Sequence, residues 1–403
     1  MYKILSLDGG GSWSLIQLLT LQDRYPGKRG HEILQDFDMV IANSGGSIVL
    51  AALVEDWTID KALELFHKRE TRERIFSRNS YRERFFPTDI LGLFTSFGPK
   101  YSAKRKGEAF RELFKQSDKR QMTDLPEFIG KKDLKIIVAT YDALNNRAKF
   151  FKSFGSGAHY DSVRLTQAIH GSSNAPIQYF DFPARFKAKN SGVYFELWDG
   201  ALGGFNNPIA AGIIEAVKCG VPKKDIVVVS LGTSNKLMSM EDKDEFYKVK
   251  QIAIKERHKK YLVWRLKYPL KFFKASILNQ AKTILYEPPD WSNYVAYMFL
   301  YGEAYTTGDH EAHTSRFIRL SPLLHVDAAA PEATANLVST LYKMDMNLTL
   351  DAEIAKVGEC YAQWKAGQIK NQTIEFMVTR QNEIISTIGH QTYQEAYDAW
   401  MRI

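Results

Sequence analysis

Of the 403 residues only two are cysteine, Cys219 and Cys360, and they form neither a CxxC pair nor a framework spacing. That scarcity argues against a disulfide-built fold and fits a reducing compartment or indifference to redox. Long apolar runs are missing as well. The longest apolar neighbourhood, residues 39–54, is interrupted by Asn43, Ser44, Gly45, Gly46 and Ser47, so it falls short of the roughly 18 uninterrupted residues that suggest a membrane span. No transmembrane segment is expected. The opening MYKILSLDGGG lacks the basic start, apolar stretch and small-residue cleavage site of a signal peptide, which leads to the expectation of a cytoplasmic protein. No repeat period and no low-complexity linker is visible, so a second independent domain is not demanded.

Positive charge is what the chain has in excess. With 54 Lys and Arg against 46 Asp and Glu, the formal charge is +8, a balance suited to an anionic partner such as a phospholipid surface or nucleic acid. Residues 67–84, HKRETRERIFSRNSYRER, mix both signs at helical spacing and read as a solvated, salt-bridged face. Residues 255–274, KERHKKYLVWRLKYPLKFFK, interleave Lys259, Lys260 and Lys267 with Trp264, Phe272 and Phe273. That pattern suits a lipid headgroup region, where rings sink and basic groups meet phosphates; an ordinary core helix with snorkelling lysines is the competing reading. Neither basic run carries a groove-reading or base-stacking module, so nucleic acid is not expected.

Alternation predicts a strand over Tyr2–Leu7, then a glycine loop and a helix over residues 14–23. A second short strand at 37–42 leads into a helix ending near Asp56. Further strands are expected at 135–139, after the turn at Asn145-Asn146, and over Ile226–Leu231. Strands alternating with helices imply an α/β fold with a mostly parallel sheet covered on both faces. Beyond Gly232 the sequence turns polar and helix-rich.

Three local patterns bear on chemistry. Ala42-Asn43-Ser44-Gly45-Gly46 joins a strand to a helix and approximates GxSxG, in which small residues let strand and helix approach around an exposed serine; alone, a serine in that place is equally a helix cap. Asp8-Gly9-Gly10-Gly11 follows the first strand and opens a helix, so its backbone N–H groups suit an anion or a developing oxyanion. It satisfies neither GxGxxG nor GxxxxGK[ST]. The third, WDGALGGFNNP over residues 198–208, sets Asp199 in a turn with Gly200 and Ala201, which by itself is ordinary turn chemistry.

Taken in chain order, the glycine loop at Asp8–Gly11, the serine turn at Ser44 and the Asp199-Gly200 turn followed by Asn206-Asn207-Pro208 resemble the patatin-like phospholipase family. LQDFDMVIANSGG is similar to the strand entering the family's serine; FGPKYSAKRKGEAFRELF (97–114) to its GPKY segment; LTQAIHGSSNAPIQYFDF (165–182) to its Ser-Ala-Pro region; and VVVSLGT to its closing strand. The resemblance covers residues 2–233. It implies a three-layer patatin-like core over 1–235, with 236–403 packing on or extending it as a lid or docking region. It also implies a Ser-Asp dyad in which Ser44 is the nucleophile and Asp199 the general base, with Gly9, Gly10 and Gly11 as oxyanion hole, no cofactor and no metal. The implied substrates are phospholipid or other lipid acyl esters, met at an anionic membrane surface by peripheral association. Two departures stand out: Ser12-Trp13-Ser14 follows the glycines where an arginine or lysine is common, and Ala42 replaces the upstream elbow glycine.

Two alternatives remain at this level. One is a catalytically weak patatin-like scaffold that binds membranes; the other is an esterase for a non-phospholipid acyl substrate. A Ser-Asp-His order would need His258, His310, His313, His325 or His390, none in a recognisable turn after a strand. His310 and His313 could share a helical face for a metal, but no third ligand is marked.

Overall fold

The computed structural model describes residues 1–79, 99–155, 163–176, 179–189, 191–236, 289–301, 315–325, 331–378 and 383–403. Its centre is an eight-stranded sheet. The strands are β1 (Tyr2–Leu7), β2 (Met39–Ala42), β3 (Lys135–Asp142), β4 (Arg147–Lys152), β5 (Ala184–Lys187), β6 (Tyr194–Asp199), β7 (Ile226–Leu231) and β8 (Phe317–Leu320). Along the main path the order is β5-β6-β3-β2-β1-β7-β8, with β4 paired to β3. Strands β3, β2, β1, β7 and β8 run parallel, while β4, β5 and β6 are antiparallel additions.

The parallel strands are apolar on both faces because helices cover both. Leu5, Leu7, Val40, Ala42, Val229 and Leu231 point into one core with the helices Leu15–Arg24 and Ser44–Val54. Ile4, Met39, Ile41, Ile226 and Val228 point into the other, against the helices Ile209–Lys218 and Pro289–Tyr301. All eleven residues of Ser44–Val54 are buried, as expected of a helix that is apolar all round.

One topological detail positions the site. Strand β4 occupies one edge of β3 along residues 137–142, so β2 and β6 share the other edge. Strand β2 pairs with its first half, Lys135 to Val138, and β6 arrives antiparallel on its second half, with Asp199 opposite Thr140. The end of β6 is thereby delivered just past the end of β2.

Sequence beyond residue 236 enters the same sheet: β8 pairs in parallel with β7. This strand was not expected in a segment read as helix-rich. Its sequence FIRL is short and carries a buried arginine, so alternation conceals it.

Candidate active site

The turn after β2 is sharp. Asn43 is extended (φ −131°, ψ 148°), whereas Ser44, a non-glycine residue, has φ 47°, a left-handed conformation that costs free energy unless its surroundings enforce it. Those surroundings are visible. The Ser44 N–H donates to Ser172 Oγ at 2.8 Å, and Ser47 Oγ donates to the Ser44 carbonyl at 2.6 Å. A Cβ on Gly45 would fall 2.5 Å from the Gly11 carbonyl oxygen, and one on Gly46 2.5 Å from that of Leu7, so both glycines are required for the turn to pack against β1 and the loop after it. Ala42 sits between Leu7 and Val138 in the sheet, and its methyl is absorbed by the core.

Asp199 reaches this turn from β6. Its backbone N–H donates to the Asn174 carbonyl at 3.1 Å. Its Oδ1 accepts from the Ala201 N–H at 2.9 Å and from Asn43 Nδ2 at 3.2 Å, and the Ser44 side chain acts on the same carboxylate. Burial raises the Asp199 pKa above the ordinary carboxylate value, while the Ser44 side chain, the bonds from Ala201 and Asn43 and the charge of Lys106 act to lower it. Burial prevails, which makes the group a stronger base than an exposed aspartate. No histidine is among its hydrogen-bond partners within the described residues.

The glycine loop lies against the serine. A Cβ on Gly9 would fall 3.0 Å from Ser44 Cβ and 2.4 Å from Asn206 Oδ1. Of the three glycines expected to supply N–H donors, Gly9 is already committed, since its N–H donates to the Asn206 carbonyl at 2.8 Å. This narrows the expectation to Gly10 and Gly11, whose N–H groups have no partner among the described residues. Both adopt positive φ, 153° and 58°. Below the loop, Asp8 and Arg319 form a buried ion pair at 2.6 Å, each 2% exposed. The guanidinium also donates to Ser230 Oγ and Gln372 Oε1. Desolvation still raises Asp8 to a pKa of about 6 against the pull of Arg319.

The departure at Ser12-Trp13-Ser14 has a structural counterpart. Ser12 N–H donates to the Met346 carbonyl at 2.9 Å, and Trp13 Nε1 to the Asp345 carbonyl at 3.0 Å. Trp13 is buried in the core. Residues 345–348 thus brace the loop, and Asp345 in turn accepts from the Tyr179 hydroxyl and pairs with Lys100 at 3.6 Å.

Several functional neighbours were not singled out by sequence: Lys106, Ser172, Ser173, Asn174, Asn206 and Arg319. Three of them lie in the quoted GSSNAP stretch, but nothing in its composition says that Ser172 holds the Ser44 backbone and Asn174 the Asp199 backbone. Lys259, Lys260, Trp264, Lys267, Phe272 and Phe273 fall outside the described residues, as do His258, His310 and His313. His325 is exposed; His390 is buried and lines a cavity with Met1 and Arg402. A separate cavity of 710 Å³ opens beside His170, Arg111 and Phe186, and Ser44 is not in its wall. No helix among the described residues is long and apolar enough to cross a membrane.

A buried serine and a buried aspartate thus converge at the carboxyl end of a largely parallel sheet covered on both faces, within a layered α/β fold. The sequence model of the patatin-like phospholipase family matches residues 5–213, more than half the chain, and the protein belongs to that family of lipid acyl hydrolases. No curated protein matches by sequence. Among solved structures, the chain is similar to VipD from Legionella pneumophila (10% identity, 90% of this chain and 67% of that one, TM-score 0.34). It is also similar to human group IVD cytosolic phospholipase A2 in complex with methyl gamma-linolenyl fluorophosphonate (11%, 89% and 56%, 0.37). A shorter similarity links it to the complex of full-length ExoU with SpcU from the type III secretion system of Pseudomonas aeruginosa (16%, 43% and 38%, 0.26). The chain therefore spans only part of each of these relatives.

Proposed function

We propose that the protein is a serine acyl hydrolase that cleaves phospholipid acyl esters through a Ser44-Asp199 dyad, without a metal or cofactor. The observation that carries this reading is the convergence of the two residues: Asn43, next to Ser44 in the chain, donates to Asp199 Oδ1 at 3.2 Å, beside a left-handed Ser44 at a strained strand-to-helix turn. In the proposed reaction, Ser44 Oγ attacks the acyl carbon as its proton passes to Asp199. The oxyanion is held by the N–H groups of Gly10 and Gly11, with the positive end of the Ser44–Val54 helix behind them. Collapse returns the proton from Asp199 to the departing alcohol and leaves an acyl-serine. Water, deprotonated by Asp199, then attacks the acyl-serine, and as the fatty acid leaves the proton passes from Asp199 to Ser44 Oγ. Burial supports this role for a carboxylate, because it brings the pKa of Asp199 upward toward the working pH.

Contact with the lipid surface is assigned to residues 255–274, where Lys259, Lys260 and Lys267 would meet anionic headgroups and Trp264, Phe272 and Phe273 would enter the interface. The chemistry is tested by covalent labelling with a fluorophosphonate probe and peptide mapping. Labelling is expected at Ser44, abolished by Ser44→Ala and strongly slowed by Asp199→Asn. Folded protein that takes up no probe at Ser44 would leave the membrane-binding scaffold as the reading; labelling with hydrolysis only of short soluble esters would make it a non-phospholipid esterase.

A further inference from the structure

Lys106 is fully buried, at 0% exposure, a rare state for a lysine unless its charge is answered nearby. It belongs to the helix Ala103–Leu113, whose first turn is held by Asp181 accepting from the Ala103 N–H at 2.9 Å. The ammonium lies 4.0 Å above the Phe180 ring centre, within cation–π range. It donates to the His170 carbonyl at 3.2 Å and to Ser173 Oγ at 3.3 Å. Its hydrogen bonds therefore go to neutral oxygens; burial lowers its pKa well below the ordinary lysine value, while the carboxylates of Asp199 and Asp181 act through space in the opposite sense, toward the charged form.

Ser173 gives this contact its position. The residue before it, Ser172, accepts from the Ser44 N–H, and the residue after it, Asn174, accepts from the Asp199 N–H. One short segment thus links the lysine to both members of the dyad.

We propose that Lys106 is a positioning residue for acyl transfer: its ammonium anchors the Ser172–Asn174 segment and is the counter-charge that keeps Asp199 ionised for proton abstraction. This rests on the reading of Ser44 and Asp199 as the reacting pair. Five titratable or charged groups face one another here: Lys106 and Arg111 from Ala103–Leu113, His170 from the helix Leu165–Ser172, Asp181 from the loop before β5, and Asp199 from β6. Burial, with the charges of Lys106 and Arg111, holds the His170 pKa well below its ordinary value. Burial, the largest of these causes, and Arg111 remain when the Lys106 charge is lost, so Asp199 sets the acid limb, and that limb moves to higher pH.

The test follows fluorophosphonate labelling of Ser44 and kcat/KM for a soluble ester across pH 4.5 to 9 in the full chain. Lys106→Gln keeps an N–H donor and removes the charge; Lys106→Met removes both; Lys106→Arg keeps the charge. The acid limb should move to higher pH in the Gln and Met variants, lowering rates on that limb several-fold, and Lys106→Arg should stay closer to the wild-type limb. Near pH 9 the Gln variant should approach the wild-type rate. If Lys106→Met does not fold, the Gln variant decides. An unmoved limb in Lys106→Gln with Ser44 still labelled overturns the role of the lysine alone, whereas a wild-type chain that does not label at Ser44 overturns the dyad and this proposal together.

Discussion

Ser172 holds Ser44 by its backbone: the hydroxyl accepts the Ser44 N–H at 2.8 Å and donates to Asn43 Oδ1 at 3.3 Å, fastening two successive residues of the turn. Ser172→Ala leaves a buried N–H without an acceptor, which costs about 1–3 kcal/mol. The expected outcome is an unfolding free energy lower by about that amount, with Ser44 labelling slowed about tenfold or more. A variant that loses stability without losing labelling rate would show that the turn holds its left-handed conformation without this bond.

Two glycines separate close packing from backbone freedom. At Gly9 a methyl would overlap Asn206 Oδ1 and touch Ser44 Cβ; at Gly358, inside the helix Asp351–Lys365, it would meet nothing within 4 Å. Gly9→Ala should displace the loop and cut ester hydrolysis at least about tenfold. Gly358→Ala should raise stability by about 0.4–1 kcal/mol and leave activity as it was. Thermal melts and a soluble-ester assay read both.

The Asp8–Arg319 pair makes a pH prediction of definite sign. Asp8 has a folded pKa of about 6, above the 3.8 of the unfolded chain, so its contribution favours the fold at low pH and is lost as pH rises from about 4 to about 6. Relative to wild type, Asp8→Asn should therefore gain stability between pH 4 and pH 7, on the order of 3 kcal/mol. Arg319→Met should cost about 3–5 kcal/mol at pH 7, where the carboxylate is left charged and alone, and less at pH 4.5, where it is protonated. Denaturation curves at the two pH values check both signs.

Charge reversal at Lys259, Lys260 and Lys267 should weaken binding to vesicles containing phosphatidylserine while hydrolysis of a short soluble ester persists. Because the attraction is screened, added salt should mimic the triple variant. Equal loss of both activities would mark a folding defect rather than a docking surface.

What could be read from sequence was local. The strand at Tyr2–Leu7 announces itself by alternation and that at Ile226–Leu231 by a short, largely apolar run, and the turns around Ser44 and Asp199 by glycines at short fixed offsets. The strand at Phe317–Leu320 did not, because Arg319 breaks its pattern and is legible as core only once Asp8 is known to lie opposite. Lys106 was hidden in the same way: in the run Lys104-Arg105-Lys106 nothing distinguishes the residue that turns inward, since its burial depends on Phe180 and Ser173 brought up from about seventy residues away. Likewise, no glycine motif indicates that the Gly9 N–H is taken by Asn206. Motifs mark where backbone must bend; which donors remain free is decided by chain segments that arrive later.

That order of arrival has a temporal side. Asp8 and Arg319 are separated by 311 positions, and at translation rates of about 5–20 residues per second the carboxylate leaves the ribosome roughly 15–60 s before its guanidinium. During that interval the nascent chain holds the serine, the aspartate and the glycine loop, but neither the cation beneath the loop nor the 345–348 segment that braces it. A site assembled in this way is finished only after residue 348 has been made.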